Sequence, residues 1–232
     1  MYSRFCQVAL LLAGVAAGQT PCPSTPVYSR CEMVFELNDA ERAAHVNPYV
    51  SVNLQIEFRS PRHRTQLMPA FHDGGSRMVV RFAPIDPGEW EYRISSNLKR
   101  FDGKEGKFTA TESDYPGFII PANGHHWRYT EGRAAHLWMG DTYYAVGFTD
   151  DQTFRTWTDE RAGQKFNHVR GYAIGREGFQ SGKTFRDPDT PDTAFYKRLD
   201  DRVAYLNSKG ITFDIIAGHG NNFLASTGIN DN

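Results

Sequence analysis

Four polar residues follow segments of the sequence that are predicted to be parallel β-strands: Asp141, Arg170, Tyr172 and His219. In parallel α/β folds, the side chains that bind ligands come from the carboxyl ends of the strands. A carboxylate at position 141 could accept hydrogen bonds from hydroxyl groups, and a guanidinium at position 170 presents a rigid set of donors to oxygen atoms. These residue types therefore indicate a candidate binding site for a hydroxyl-rich ligand.

Each of the four residues also has a structural interpretation. Asp141 follows a glycine and could be a helix-side or turn carboxylate, and Arg170 could form an ion pair within the fold. Tyr172 could stack on a flat ligand or simply pack in the interior, as most aromatic side chains do. His219 lies between two glycines, where a loop residue is the simpler explanation.

No motif for a metal ion or a cofactor is evident. The pair His125 and His126 has no further ligands at a suitable spacing, and the acidic run at residues 187–192 lacks the twelve-residue pattern of a calcium loop. No glycine-rich motif that would cradle a phosphate follows a strand. We therefore expect no metal and no cofactor.

The charge balance excludes some classes of partner. The 232 residues include 26 basic and 27 acidic side chains, which gives a formal net charge of -1. Such a chain has no field strong enough to attract nucleic acid or an anionic membrane surface. Neither is an expected partner, and the sequence does not indicate an oligomeric state.

The first eighteen residues have the pattern of a secretory signal peptide. Arg4 precedes an apolar run at residues 8–17, and the small residues Ala16 and Gly18 suit a signal peptidase site. The run is too short for a transmembrane helix, which needs about 20 apolar residues. We therefore expect a secreted protein without a membrane anchor, whose mature chain begins with an extension at residues 19–31.

Cleavage of residues 1–18 would leave two cysteines. Cys6 would be removed, and Cys22 and Cys31 would remain in an oxidising compartment where a disulfide can persist. A bridge between them would tie the mature amino terminus to the first strand. The sequence alone does not give their separation, so two unpaired thiols remain the alternative.

Residues 32–112 are predicted to form an all-β domain. Apolar and polar residues alternate at 50–58, 78–82 and 90–94, with a period of two that is typical of half-buried strands. Residues of the types that tight turns require separate these segments, at 73–75, 86–88 and 102–103. Short strands at this spacing indicate a β-sandwich.

Residues 115–232 change to alternating strands and helices. The predicted order begins with short strands at 117–121 and 127–130, a strand at 135–140 and a helix capped by Asp150 or Asp151 that ends near Gly163. It continues with a strand at 168–173, a polar loop at 175–190, a helix that Pro191 and Asp192 open and Gly210 caps, and a strand at 211–217. Strand, helix, strand, helix, strand is typical of parallel βα units. A doubly wound sheet would give the same alternation, so the pattern alone does not distinguish it from a barrel.

Two groups of motifs resemble known families. The segments Asn47-Pro48-Tyr49, Phe71-His72-Asp73-Gly74-Gly75, Arg81-Phe82-Ala83-Pro84 and Pro87-Gly88-Glu89-Trp90-Glu91-Tyr92 resemble an immunoglobulin-like domain of unknown function that precedes certain glycoside hydrolase barrels. The segments Gly117-Phe118-Ile119-Ile120-Pro121, Leu137-Trp138-Met139-Gly140-Asp141-Thr142 and Lys165-Phe166-Asn167-His168-Val169-Arg170-Gly171 resemble the start of the apiosidase-like family, some members of which carry a collagen-binding label.

These resemblances imply a multidomain β plus α/β protein. An immunoglobulin-like β-sandwich at 32–112 would precede the first three strands of an incomplete (β/α)8 TIM barrel at 115–232. The implied activity is glycoside hydrolysis of plant cell-wall or other complex polysaccharides, with a polysaccharide or oligosaccharide as partner.

Catalysis by this chain is a separate question. Glycoside hydrolysis generally uses two carboxylates about 5 to 9.5 Å apart. The family resemblance places that pair on later strands, so we expect a fragment that lacks it, and no catalytic residue is assigned. The alternatives are a non-catalytic secreted module that binds carbohydrate or collagen, and a nonfunctional remnant.

Overall fold

The computed structural model describes six parts of the chain: residues 19–20, 22, 24–131, 134–174, 184–187 and 189–217. The chain divides into two units, the first ending at Gly117 and the second beginning at Phe118. Among the described residues, no helix combines the length and the apolar character that crossing a bilayer requires.

The first unit is rich in β-structure. In chain order its described elements are β1 (Gln19–Thr20), β2 (Thr25–Pro26), β3 (Cys31–Glu36), α1 (Asp39–Ala44), α2 (Pro48–Ser51), β4 (Leu54–Arg59), β5 (Thr65–Pro69), β6 (Phe71–His72), β7 (Arg77–Phe82), β8 (Gly88–Ser96) and β9 (Glu105–Thr111). The strands form a four-stranded sheet in the order β1-β3-β7-β6 and a five-stranded sheet in the order β2-β9-β8-β4-β5. The two sheets share one apolar core.

Alternation along the strands fills that core. Trp90, Tyr92 and Ile94 of β8 are buried while the residues between them are exposed, as the sequence predicts. Val79 of β7 was predicted to lie on the outer face with Arg77 and Arg81. The implied exposure of its side chain is wrong, because Val79 is buried. Strand β7 lies between β3 and β6, whose residues at the paired positions flank Val79 on both sides.

The prediction of a strand beginning at Val50 is also wrong. Residues Pro48–Ser51 form α2, which Asn47 caps by accepting a hydrogen bond from the Tyr49 N–H at 3.1 Å. Proline in the first turn of a helix has a favourable fixed φ, so the local signals of residues 47–48 override the apolar alternation. Strand β4 begins only at Leu54.

The all-β prediction for residues 32–112 also misses α1. Asn38 and Glu41 form a reciprocal capping box at its amino terminus, in which each side chain bonds the backbone N–H of the other residue at 2.9 Å. Such a box satisfies two donors that a helix start otherwise leaves unpaired. Two short helices therefore interrupt the β-rich unit.

A disulfide joins Cys22 to Cys31, with a Cα–Cα distance of 5.9 Å. Cys31 is the first residue of β3 and both cysteines are buried in the core. The bond therefore fixes the segment that precedes β3 to the first residue of that strand.

The second unit combines three small sheets with two helices. In chain order its described elements are β10 (Ile119–Asn123), β11 (His126–Tyr129), β12 (Ala135–His136), β13 (Gly140–Thr142), α3 (Asp151–Gly163), β14 (His168–Tyr172), β15 (Phe185–Asp187), β16 (Thr190–Pro191), α4 (Thr193–Ser208) and β17 (Thr212–Ile216). Strands β10, β11 and β12 form an antiparallel sheet, β15 pairs with β16, and β13-β14-β17 form a parallel sheet.

Helix ends in the second unit follow the predicted signals. Asp150 caps α3 by accepting from the Thr153 N–H, and Asp192 caps α4 by accepting from two backbone N–H groups. Gly210 adopts a φ of 75° just after α4, and the Ile211 N–H then bonds back to the Leu206 carbonyl. This left-handed turn ends the helix and starts β17 at once.

Both helices pack on the same face of the parallel sheet. Phe154 of α3 and Phe195, Leu199 and Leu206 of α4 share a core with Val169 of β14. The opposite face of the sheet is therefore free of these helices.

The predicted first parallel strand at residues 135–140 needs correction. Ala135 and His136 pair antiparallel with β11, and the parallel strand β13 covers only Gly140–Thr142. Between them the Asn167 side chain donates to the Leu137 carbonyl at 2.7 Å and accepts from the Met139 N–H at 2.9 Å. The Met139 carbonyl in turn accepts from the Asn167 and His168 N–H groups, so side-chain and backbone bonds together hold this segment beside β14.

The predicted loop at residues 175–190 is corrected in part. Within the described residues, 185–187 and 190–191 form the antiparallel pair β15 and β16. Residues 175–183 and 188 lie outside the described part of the chain.

Candidate functional site

The parallel sheet has one face that carries polar side chains. Its register places Arg170 of β14 opposite Asp214 of β17 and Thr142 of β13. Because residues two apart in a strand share a face, His168 and Tyr172 lie on the same side as Arg170. We call these five residues, Thr142, His168, Arg170, Tyr172 and Asp214, the polar face.

Arg170 and Asp214 are the charged pair of the polar face. Arg170 is exposed and forms no ion pair with another described residue, while Asp214 is half-buried. The Asp214 Oδ1 atom lies 3.7 Å from the His168 Nδ1 atom. A guanidinium and a carboxylate at paired positions offer donors and acceptors together, which is what recognition of a hydroxyl-rich ligand requires.

Asp141 lies on the other face of the sheet. Its register partner is Val169, which packs in the helix-covered core. The carboxylate forms an ion pair with Arg161 of α3 and also accepts from the Thr142 N–H at 2.7 Å. The hydrogen bond from Arg161 lowers the pKa of Asp141, although partial burial opposes this shift. Asp141 is therefore a helix-side carboxylate, which was the alternative interpretation of this residue.

The tyrosines divide between the two faces. Tyr172 is buried and its ring lies 5.1 Å from that of Tyr144, which is 41% exposed. Tyr143 contacts Trp157 of α3 and packs beside the helix-covered core. The exposed ring beside the polar face is therefore Tyr144, with Tyr172 behind it. His219, the fourth predicted residue, lies outside the described residues.

A buried histidine pair was not predicted from the sequence. The Nε2 atoms of His136 and His168 lie 2.8 Å apart, and the His136 Nδ1 atom lies 2.9 Å from the Tyr129 hydroxyl. Trp138 stacks on His168 with ring centroids 3.5 Å apart. Among the described residues, no group of three or more His, Cys, Asp or Glu side chains is placed to hold a metal ion.

The environment of the pair shifts its titration. Burial lowers the pKa of His136. Burial also lowers the pKa of His168, where the nearby Asp214 carboxylate opposes the shift and His136 adds to it. Two features of the sequence could have indicated that His168 and Asp214 belong to the site. His168 and Arg170 are two residues apart on one strand, and Asp214 is an acidic residue inside the apolar run of β17.

Comparisons with known proteins agree with part of the predicted resemblance. A family described as a domain of unknown function, DUF5060, matches residues 24–97, which is within the first unit. No curated protein matches the sequence.

Solved structures give one informative likeness. A presumed glycoside hydrolase from Bacteroides vulgatus ATCC 8482 is 24% identical with a TM-score of 0.74, and the match covers 85% of this chain. The chain spans only 42% of that protein.

Two further structures are less similar. They are a maltogenic amylase from S. marinus, with a TM-score of 0.25, and a Bacteroides ovatus GH5 xyloglucanase in complex with a XXXG heptasaccharide, with a TM-score of 0.26. Each is 8% identical and covers 84% of this chain, which spans 30% and 43% of them respectively. TM-scores this low support no argument about fold. From the match with a TM-score of 0.74, the chain is similar in fold to part of a presumed glycoside hydrolase.

Proposed function

We propose that this chain is part of a secreted glycoside-hydrolase-like protein that acts on complex polysaccharides of the plant cell-wall type. In this proposal the first unit is an immunoglobulin-like domain, and β13, β14 and β17 are the first three strands of a (β/α)8 barrel. The apiosidase-like motifs, the fold likeness to the Bacteroides vulgatus protein and the family match at residues 24–97 support it.

The polar face carries the proposal. In a barrel, the face opposite the helices lines the interior, and the ligand site lies toward the carboxyl ends of the strands. Arg170 would donate to sugar oxygens and Asp214 would accept from sugar hydroxyls, because they lie at paired positions of β14 and β17. The exposed ring of Tyr144 beside them could stack on the apolar face of a sugar.

Binding without hydrolysis is the expected behaviour of these residues. Hydrolysis needs two carboxylates across the scissile bond. On the polar face of the three described parallel strands, Asp214 is the one carboxylate. The 232-residue chain should therefore bind polysaccharide and release no reducing sugar.

The test is a titration of the whole chain with soluble plant polysaccharides, in which calorimetry measures the binding affinity. Arg170→Ala should weaken binding at least tenfold, which corresponds to about 1.4 kcal/mol. Arg186→Ala is the matched control, because Arg186 is an exposed arginine of β15 in the same unit. Equal affinities for the two variants would overturn the assignment of the polar face, and binding retained by both would favour a binding module in the first unit.

A further inference from the structure

Four titratable side chains of the second unit lie next to one another in succession. From β11 to β17 they are Tyr129, His136, His168 and Asp214, with successive distances of 2.9, 2.8 and 3.7 Å between their nearest polar atoms. We call them the histidine chain. It connects the antiparallel sheet, through β11 and β12, with the parallel sheet, through β14 and β17.

The two central imidazoles are enclosed. His136 is 7% exposed and His168 is 2% exposed, and the indole of Trp138 covers one face of the His168 ring. Strand β13 contributes no titratable group at this level, because the residue paired with His168 is Gly140. Within the described ranges, the ionisable neighbours are therefore Tyr129 on one side and Asp214 on the other, with Arg170 two residues further along β14.

The geometry selects one direction for the hydrogen bonds. Only one of the two facing Nε2 atoms can carry a proton when both rings are neutral. If His168 donated through Nε2, its bare Nδ1 would face the Asp214 carboxylate, and this buried atom has no hydrogen-bond partner within the described residues. If His136 donates, His168 carries its proton on Nδ1 toward Asp214, and His136 Nδ1 accepts from the Tyr129 hydroxyl.

We propose that the histidine chain is an acid-sensitive connection between the two sheets, which accepts one proton and no more. The first proton binds His136 Nδ1, because the Tyr129 hydroxyl can rotate and accept instead of donate. A second proton would have to bind His168 Nε2. It would then face the N–H of His136 across 2.8 Å, with two positive rings side by side.

The sign of the pH dependence follows from proton counting. In the unfolded chain each histidine binds a proton near pH 6.5, whereas burial lowers the pKa of both in the folded state. The unfolded state therefore binds more protons below about pH 6.5, and stability falls as the pH falls. For each extra proton that the unfolded state binds, the unfolding equilibrium constant rises about tenfold when the pH falls by one unit.

Imidazole nitrogen NMR of the whole 15N-labelled chain tests the direction. At pH 7.5 we expect the Nε2–H tautomer for His136 and the Nδ1–H tautomer for His168. On acidification one proton should enter the pair before the unit unfolds. The Nε2–H tautomer at His168, or two independent titrations near pH 6.5, would overturn the proposal without any variant.

Amide hydrogen exchange tests the connection itself. Between pH 7.5 and 5.0, protection factors in β11 and β12 should fall at least tenfold in the wild-type chain. His136→Gln should remove that extra fall, whereas His126→Gln, at an exposed histidine of β11, should leave it unchanged. A constant protection factor in the wild type, or an equal fall in His136→Gln, would contradict an acid-sensitive connection.

Discussion

Arg202 holds together the start of α3 and the segment that precedes it. Its guanidinium is almost fully buried and donates to the carbonyls of Val146 and Thr149, and it also pairs with Asp151. Arg202→Met keeps much of the volume but leaves two carbonyls without a donor. Hydrogen bonds to charged groups contribute about 1.5–3 kcal/mol each, so for these two bonds we expect a loss of about 3–6 kcal/mol. The ion pair with Asp151 adds little to this loss of stability, because the Asp151 side chain is exposed.

Urea unfolding followed by tryptophan fluorescence measures this loss. Three of the four tryptophans lie in the second unit, and Trp90 reports on the first. Arg198→Met is the matched control, because this arginine lies one turn earlier on α4 and is exposed. Arg202→Lys should have an intermediate effect, since an ammonium cannot reproduce the planar fork. A loss below about 1 kcal/mol for Arg202→Met would refute the assignment of these hydrogen bonds as structural.

Two further predictions concern packing and acid stability. Gly171→Ala should destabilise the second unit by about 1–3 kcal/mol, because the new Cβ would lie 2.6 Å from the Tyr143 carbonyl oxygen. Gly163→Ala, with open space around its Cβ, should be neutral or stabilising in thermal unfolding, and equal effects at both glycines would contradict the packing argument. In the first unit, burial opposes ionisation of Asp86, but hydrogen bonds from Arg64 and Ser60 lower its pKa overall. Its contribution is present above the unfolded pKa of about 3.9 and is lost as the pH falls through the lower folded value. Asp86→Asn should therefore reduce the fall in melting temperature between pH 5 and 2.5, and an unchanged slope would contradict this.

Most of the fold could be predicted because local signals and tertiary packing agree. Aspartates 150 and 192 cap helices where the sequence places them, and Gly210 ends α4 as expected. The failure at residues 135–140 occurred where a side chain contributes to the pairing. Asn167 bridges residues 137 and 139, and no periodicity of residues 135–140 indicates that.

The candidate site was harder to predict than the fold. Asp141 was assigned to the ligand side because it follows the end of the predicted strand at 135–140, but strand register places it with Val169 on the helix-covered side. Strand β13 covers Gly140–Thr142, so Asp141 lies within the strand and not after its end, and the alternation of side chains then decides its face. Asp214 and His136 were missed because they are distant from His168 in the sequence and only the tertiary fold brings them together.

The most direct test of the proposed function is amide NMR of the whole chain during titration with a soluble plant cell-wall oligosaccharide. The account predicts saturable shift changes that centre on Arg170 and Asp214 and spread along β14 and β17. Shift changes confined to residues 24–117, or none at millimolar oligosaccharide, would contradict a sugar site on the polar face.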